Sequence, residues 1–299
     1  MMETGRRRIL FVINPVSGKA APDWNSIIHD HFDPLPFDTN IYQLPEKFTV
    51  DDVRSRINGF KPDCVVAVGG DGTANLLATC VMKTDITLGI VPAGSANGMA
   101  KELGIGPDVP AALSIIENGF CKRISLVEIN DRISLHLADL GLNAFMLREF
   151  ERRGVRGLFG YLMATMKVFR RRKKLHAELR YGNTTRNIKA DIILIANATM
   201  YGTGVVVNPV GKLDDKVFEV IAIKDLTVKD LLNSSLHTSR LDENKAEIFQ
   251  VSDVHLHCTR PAHFQVDGEY MGKVQDVRAR LLPDILSVII PGKSTKIPL

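Results

Sequence analysis

Over the first 125 or so residues, short and almost uninterrupted apolar runs alternate with segments of helical spacing. Ile9–Ile13, Cys64–Val68 and Ile86–Val91 are such runs. They suit strands buried on both faces of a parallel sheet, because a sheet with one wet face would alternate apolar and polar positions. Between them, Ala74–Met82 and Ala96–Leu103 read as helices, with Ser95 placed to cap the second and Gly104 to stop it. Pro110–Asn118, closed by Gly119, predicts a further helix. From about Ile124 the texture changes to strands broken by turn residues: Ile124–Ile129, Ile133–Leu137, Ile188–Ile195, Val217–Ile223, Val254–Cys258, His263–Val266 and Val277–Leu281. Asn130-Asp131 and Asp267-Gly268 punctuate them, and the pattern predicts an antiparallel sandwich or barrel. The fold class expected is therefore an α/β N-terminal domain with a parallel sheet over 1–125, followed by a C-terminal antiparallel β-sandwich over 126–283. The run Ile285–Ile290 could belong to either, so 284–299 are candidates to complete the first domain. One segment interrupts the β texture: within 148–174, Gly157–Phe169 is apolar and helix-compatible and is followed by Arg170, Arg171, Arg172, Lys173 and Lys174.

Composition narrows the class without deciding it. The 299 residues are 45% hydrophobic and 24% charged, which excludes a disordered or fibrous chain. A net charge of +4 is too mild to announce a nucleic-acid binder, and the basic cluster has no interleaved aromatics, so no nucleic acid is expected. The cysteines, Cys64, Cys80, Cys121 and Cys258, show no CxxC spacing and fit free thiols in a reducing compartment, hence a cytoplasmic protein. No signal peptide is expected from Met-Met-Glu-Thr-Gly-Arg-Arg-Arg, and no run is long and apolar enough to span a bilayer.

Candidate chemistry concentrates where the predicted strands end. Gly69-Gly70-Asp71-Gly72-Thr73 follows one strand and opens a helix, with Asn75 just beyond. Glycines there let backbone N–H groups approach an anion, and the helix start adds partial positive charge, so phosphate is the natural ligand. A second loop, Pro92-Ala93-Gly94-Ser95-Ala96-Asn97-Gly98, follows the next strand and also opens a helix. In a doubly wound sheet such loops face one crevice and can share a ligand. A third, Asn14-Pro15-Val16-Ser17-Gly18-Lys19, supplies a hydroxyl and a cation but is not a Walker A loop, and no GxGxxG occurs. Asp267-Gly268-Glu269 reads by itself as a tight hairpin turn. His255 and His257 share a strand face without an evident third ligand, and are expected to be ordinary surface or core histidines.

Taken in order, Asn-Pro-x-Ser-Gly-Lys, Gly-Gly-Asp-Gly-Thr, Pro-Ala-Gly-Ser-Ala-Asn and Val266-Asp267-Gly268-Glu269 resemble the diacylglycerol kinase catalytic domain family of lipid kinases, which includes sphingosine and ceramide kinases. The likeness runs from Ile9 to about Pro291. It implies an ATP-dependent, magnesium-requiring kinase acting on a lipid hydroxyl, most simply diacylglycerol to phosphatidic acid, with ATP between the two domains. Asp71 is implied at the active centre and Glu269 as the general base, a role suited to a carboxylate beside an alcohol proton. Asn14, Ser17, Gly18, Lys19, Gly69, Gly70, Asp71, Gly72, Thr73, Asn75, Gly94, Ser95 and Asn97 are implied to bind ATP. Asp215 with the carbonyls of Lys212 and Val217 corresponds to the family's structural Mg²⁺ site, although Lys216 stands where glycine is usual.

Three further departures leave the lipid open. Asn75-Leu76 lacks the family's usual carboxylate, Asn97-Gly98 replaces Asn-Asp, and Phe145 and Leu147 replace the acidic residues with which sphingosine kinases meet an amine. Sphingoid bases, ceramide or another lipid stay as alternatives. Ten cations against two glutamates in 148–174, led by Arg170–Lys174, suit an anionic membrane surface and peripheral association. A solvated basic helix on the core is the plainer alternative. A homodimer is compatible with all of this. A soluble-substrate kinase of the NAD kinase type, a silent nucleotide or lipid sensor, and a membrane scaffold are the competing functions.

Overall fold

The computed structural model describes residues 6–15, 22–153, 174–201, 205–227 and 245–292. The chain divides into two compact units, 1–124 with 284–299, and 125–283.

The first unit alternates strand and helix: β1 (Arg7–Ile13), α1 (Trp24–Phe32), β2 (Phe37–Gln43), α2 (Val50–Phe60), β3 (Cys64–Gly69), α3 (Asp71–Val81), β4 (Thr87–Pro92), α4 (Gly98–Glu102) and α5 (Val109–Asn118). The strands pair in parallel in the order β2–β1–β3–β4. Ser287 and Val288 extend the sheet in parallel beside Thr87 and Leu88, so the apolar run 285–290 is a strand of this unit. Ile9–Val12 and Cys64–Ala67 are fully buried, as their unbroken apolar runs require. The apolar runs give no sign of β2 because it lies at the sheet edge, where its residues are half-buried or exposed and polar ones are tolerated. A reciprocal cap opens α2: Thr49 Oγ1 accepts the Asp52 N–H at 3.2 Å, and Asp52 Oδ2 accepts the Thr49 N–H at 2.8 Å. The Thr49 N–H, and the Thr49 hydroxyl that donates to the same oxygen at 2.8 Å, hold the Asp52 carboxyl below its usual range.

The second unit begins within β5 (Phe120–Ile129) and continues through β6 (Arg132–Ser134), β7 (Leu137–Gly141), α6 (Leu142–Arg153), β8 (Leu175–Tyr181), β9 (Thr184–Ala190), β10 (Ile192–Ala196), β11 (Met200–Tyr201), β12 (Val205–Val206), β13 (Phe218–Ile223), β14 (Ala246–Val251), β15 (Asp253–Val266) and β16 (Glu269–Ile290), whose residues from Asp284 onward belong to the first unit. It is an antiparallel sandwich. One sheet runs β14–β13–β10–β7–β15. The early residues of β15 pair instead with β8, which pairs with β9. The change of partner coincides with a register shift between His257 and Ala262, the stretch that holds Pro261. Proline cannot donate to a ladder and is confined to such irregularities. Leu140, Leu179, Ile193, Phe218, Val220, Leu256, Phe264 and Val277 fill the space between the sheets.

On the outer face of one sheet lies a second apolar layer, in which Leu142 and Met146 of α6 meet Leu194, Ile221 and Leu226. The β texture hides α6, because its apolar stripe follows the strand β7 without a turn. The expected helix at 157–169 lies outside the described residues. All four cysteines are free. Burial pushes the Cys64 thiol up to about 12 and those of Cys80 and Cys258 to about 11.

Candidate active site

In the first unit, the end of β3 passes directly into α3. Gly69 is required there, since a Cβ would stand 2.4 Å from Thr73 Oγ1. Gly70 is the N-cap of α3 and offers no side chain to it. Its carbonyl accepts the N–H groups of Thr73 and Ala74 at 3.0 and 3.1 Å. The N–H groups of Asp71 and Gly72, in the first turn, have no intrahelical acceptor. Together with the exposed Gly72, they leave open a helix start of the kind that can receive an anion.

The second loop is built differently from expectation. Ser95 is exposed and does not cap α4. The N-cap is Asn97, in the left-handed region at φ 51°, and it makes no side-chain bond to the helix. The Asp71 carboxylate takes that place from another loop: Oδ2 accepts the Gly98 N–H at 3.0 Å and Oδ1 accepts the Met99 N–H at 2.9 Å. A carboxylate at a helix start satisfies donors and complements the dipole, so a local serine cap is unnecessary. Asn97 turns inward instead, with Oδ1 accepting the Gly94 N–H at 2.9 Å and Nδ2 donating to the Gly94 carbonyl at 2.8 Å. The loops are pressed together: Ala93 N–H donates to the Gly69 carbonyl at 2.9 Å, and a Cβ on Gly94 would lie 2.5 Å from Gly70 Cα.

Asn14 joins this group. Its N–H donates to the Val68 carbonyl at 3.1 Å, and its Nδ2 reaches Thr73 Oγ1 at 3.4 Å. Asn75 accepts the Thr79 hydroxyl at 3.3 Å. The structure thus gathers Asn14, Gly69, Gly70, Asp71, Gly72, Thr73, Gly94 and Asn97 in one place. Ser17, Gly18 and Lys19 lie outside the described residues.

In the second unit, Asp267-Gly268 forms the tight turn between β15 and β16, both residues at positive φ (45° and 87°). The Asp267 carboxylate accepts four hydrogen bonds, from the Ser134 hydroxyl at 2.9 Å and the N–H groups of Leu135, His136 and Leu137 at 2.8, 3.1 and 3.0 Å. Burial pushes its carboxyl above the usual range, against the pull of those donors. Glu269, the next residue but one, stands in solvent at 76% side-chain exposure, with Arg132 Nη1 at 3.8 Å. A carboxylate so placed is free to receive a proton from a docked alcohol.

Asp215 takes part in two short contacts among the described residues. Asp215 Oδ1 accepts the Val217 N–H at 3.2 Å, and its carbonyl accepts the Ser125 hydroxyl at 3.1 Å. Nearby in the fold, Asn197 Nδ2 donates to the Ser125 carbonyl at 2.7 Å, while Oδ1 of Asn197 and Oδ1 of Asn208 are buried without partners among the described residues. A single carboxylate with peptide carbonyls suits a hard cation, so Lys212, Asp215 and Val217 fit Mg²⁺ by donor type. Among the described residues no cluster of three His, Cys, Asp or Glu could hold a metal.

Of the basic run, Arg170–Lys173 lie outside the described residues, and Lys174 forms an ion pair with Asp225. No helix among the described residues is long and apolar enough to cross a membrane. His255 and His257 both meet Oδ1 of Asp276, at 2.8 and 3.0 Å, on the outer face of the sandwich. A cavity of about 710 Å³ on that face, lined by Arg180, His255 and Arg278 among others, contains no candidate catalytic residue.

Sequence reasoning passes over Asp139, Asn143 and Gln265. Asp139 and Gln265 are fully buried. Their signal is visible in retrospect as single polar residues inside the apolar runs Leu137–Leu140 and Phe264–Val266.

Comparison with known proteins bears on both units. Residues 8–129 match the model of the diacylglycerol kinase catalytic domain, and residues 139–290 match that of the YegS C-terminal NAD kinase beta sandwich-like domain. A diacylglycerol kinase of Staphylococcus saprophyticus is 23% identical over 90% of this chain and 91% of its own length. An uncharacterized protein of Synechocystis is 29% identical over 77% of this chain, which spans 55% of that longer relative. The crystal structure of a Bacillus anthracis diacylglycerol kinase superposes with a TM-score of 0.73, at 16% identity over 98% of this chain and all of the other, and shares the fold.

Proposed function

This chain belongs to the family in which a diacylglycerol kinase catalytic domain precedes a YegS-type β-sandwich, and is a kinase; we propose that it moves the γ-phosphate of ATP to a lipid hydroxyl, with diacylglycerol as acceptor and phosphatidic acid as product. The observation that carries the reading is the open start of α3, which lies within the first of two interlocked glycine loops while the competing start of α4 is closed by Asp71. An anion is thereby directed to one helix end, the arrangement a nucleotide phosphate requires.

In the proposed reaction, N–H groups at Gly70–Gly72 hold the phosphates of ATP, and Asn14 and Asn97 fix the loops that carry them. The lipid oxygen bonds to the γ-phosphorus as the bond to ADP breaks, and Glu269 takes the hydroxyl proton. Mg²⁺, when bound, offsets phosphate charge, and Lys212, Asp215 and Val217 would hold the family's structural ion. The acceptor class is supported by what α6 presents: Phe145 stacks on His263 with centroids 4.7 Å apart, and His263 bonds Tyr270 at 2.7 Å. Phe145 stands where sphingosine kinases carry an acidic residue, and an aromatic and imidazole surface suits a neutral glycerolipid. A cytoplasmic enzyme that meets its substrate at an anionic membrane through Arg170–Lys174 completes the proposal.

Transfer of labelled γ-phosphate in mixed micelles tests it, with diacylglycerol, monoacylglycerol, sphingosine and ceramide offered alongside NAD. Label on diacylglycerol is expected. Label confined to another lipid overturns the acceptor, and label on NAD alone overturns the lipid class.

A further inference from the structure

We infer that Gln265 is a positioning residue for Glu269, its buried amide linking the start of α6, through Asp139, to the turn that presents the base. The inference rests on Glu269 acting as the base of the proposed reaction. Glu269 itself is mostly in solvent, with Arg132 as its ion-pair partner among the described residues, so its direction is set by the turn beneath it. That turn is held from two sides. Asp267 is bound by the 134–137 segment, as described above. Gln265 accepts the Gly268 N–H on Oε1 at 2.7 Å and donates from Nε2 to Asp139 Oδ2.

Asp139 is anchored in turn by α6. Its Oδ2 accepts Asn143 Nδ2 at 2.6 Å, and its Oδ1 accepts the Ala144 N–H at 2.9 Å in the first turn of the helix. Gln265 is the one side chain among these that reaches both the helix-bound carboxylate and the turn. An amide suits the position, because it donates to a carboxylate from one atom while it accepts from a peptide N–H on another. Gln265 and Asp139 are fully buried, so bulk water cannot take the place of the amide at the Asp139 end, although Gly268 itself is exposed. A hydrocarbon of the same length would take one donor from the buried Asp139 carboxylate and untie the Gly268 N–H, which would turn to solvent, and the turn would drift. A displacement near 1 Å at a reacting group can cost roughly 100-fold in rate.

The test uses the full-length protein and the micelle assay with diacylglycerol. Gln265→Met should lower kcat by roughly 10- to 100-fold, leave the KM for ATP within about twofold, and retain a cooperative thermal transition. Combined with Glu269→Gln, it should add nothing to the loss from Glu269→Gln alone, because positioning has no value once the base is gone. A purely structural effect would multiply instead and would overturn the proposal, as would a folded Gln265→Met protein with wild-type kcat. Should that variant not fold, Asp139→Asn is measured in its place, with the same kcat-only loss and the same lack of additivity expected. Full activity in Glu269→Gln would be a different failure: it removes the base, and the positioning role with it.

Discussion

The two candidate carboxylates stand on loops held together in opposite ways. Around Asp71 the contacts are mainly backbone against backbone, with Ala93 N–H on the Gly69 carbonyl and the Cα atoms of Gly70 and Gly94 nearly touching. Around Glu269 the contacts run through buried side chains: Asp267 on four donors, Gln265 on Gly268, and Asp139 on α6. A backbone cradle needs glycines at fixed spacing and little else, so it can be written in a short contiguous string. A side-chain scaffold is assembled from separate strands, and each of its members depends on partners elsewhere in the chain.

The sharpest way to break this contrast is to remove each anchoring carboxylate. Asp267→Ala leaves three buried backbone N–H groups and a hydroxyl unpaired, and should cost roughly 3 kcal/mol or more of stability in urea unfolding. Asp71→Ala frees two N–H groups, those of Gly98 and Met99, where Asp267 holds four donors, and should cost about 1–2 kcal/mol, its larger effect falling on ATP binding. Equal losses would show that the first region relies on side chains as much as the second. A finer distinction compares glycines within the cradle. Gly94→Ala places a Cβ 2.5 Å from the backbone of Gly70, which cannot give way, and should cost about 2 kcal/mol while raising the KM for ATP. Gly72→Ala meets nothing within 4 Å and should change stability by less than about 0.5 kcal/mol.

The smallest effect belongs to the outer face of the sandwich. Hydrogen bonds from His257 and His255 hold the Asp276 carboxyl below its ordinary value of 3.8. A depressed carboxyl stabilises the fold above its unfolded value, and the contribution is lost as pH falls through the folded one. Asp276→Asn should therefore lower the thermal midpoint slightly near neutrality, with the difference closing as the pH is taken below 3.8.

The same contrast explains what could be read from the chain alone. The parallel sheet was legible because β1, β3 and β4 are buried on both faces and carry unbroken apolar runs, whereas β2, at the edge, left no such trace. Gly69–Thr73 announced an anion-binding helix start because every part of it is local. The cap of α4 was not legible, since its acceptor is Asp71, 27 and 28 residues earlier in the chain. Less legible still was the support of the 267–268 turn, whose partners lie 130 to 133 residues away from Asp267. One sequence offers no way to see that Asp139 and Gln265 meet, separated as they are by 126 positions.

Both anchoring aspartates precede glycine, at Asp71-Gly72 and Asp267-Gly268. Among aspartyl dipeptides this is the one most prone to isomerisation, in which the glycine nitrogen attacks the aspartate carboxyl carbon, water leaves as a succinimide ring closes, and hydrolysis of the ring gives isoaspartate. The reaction requires the carboxyl group to swing freely over the following peptide. At neither place can it do so: Asp71 is tied to Gly98 and Met99, and Asp267 to Ser134–Leu137, while the Gly268 nitrogen is itself engaged by Gln265. The bonds that shape the two loops thus also protect them from chemical decay, and a lesion at either aspartate would lengthen the backbone at a position where the loop has no slack to absorb it.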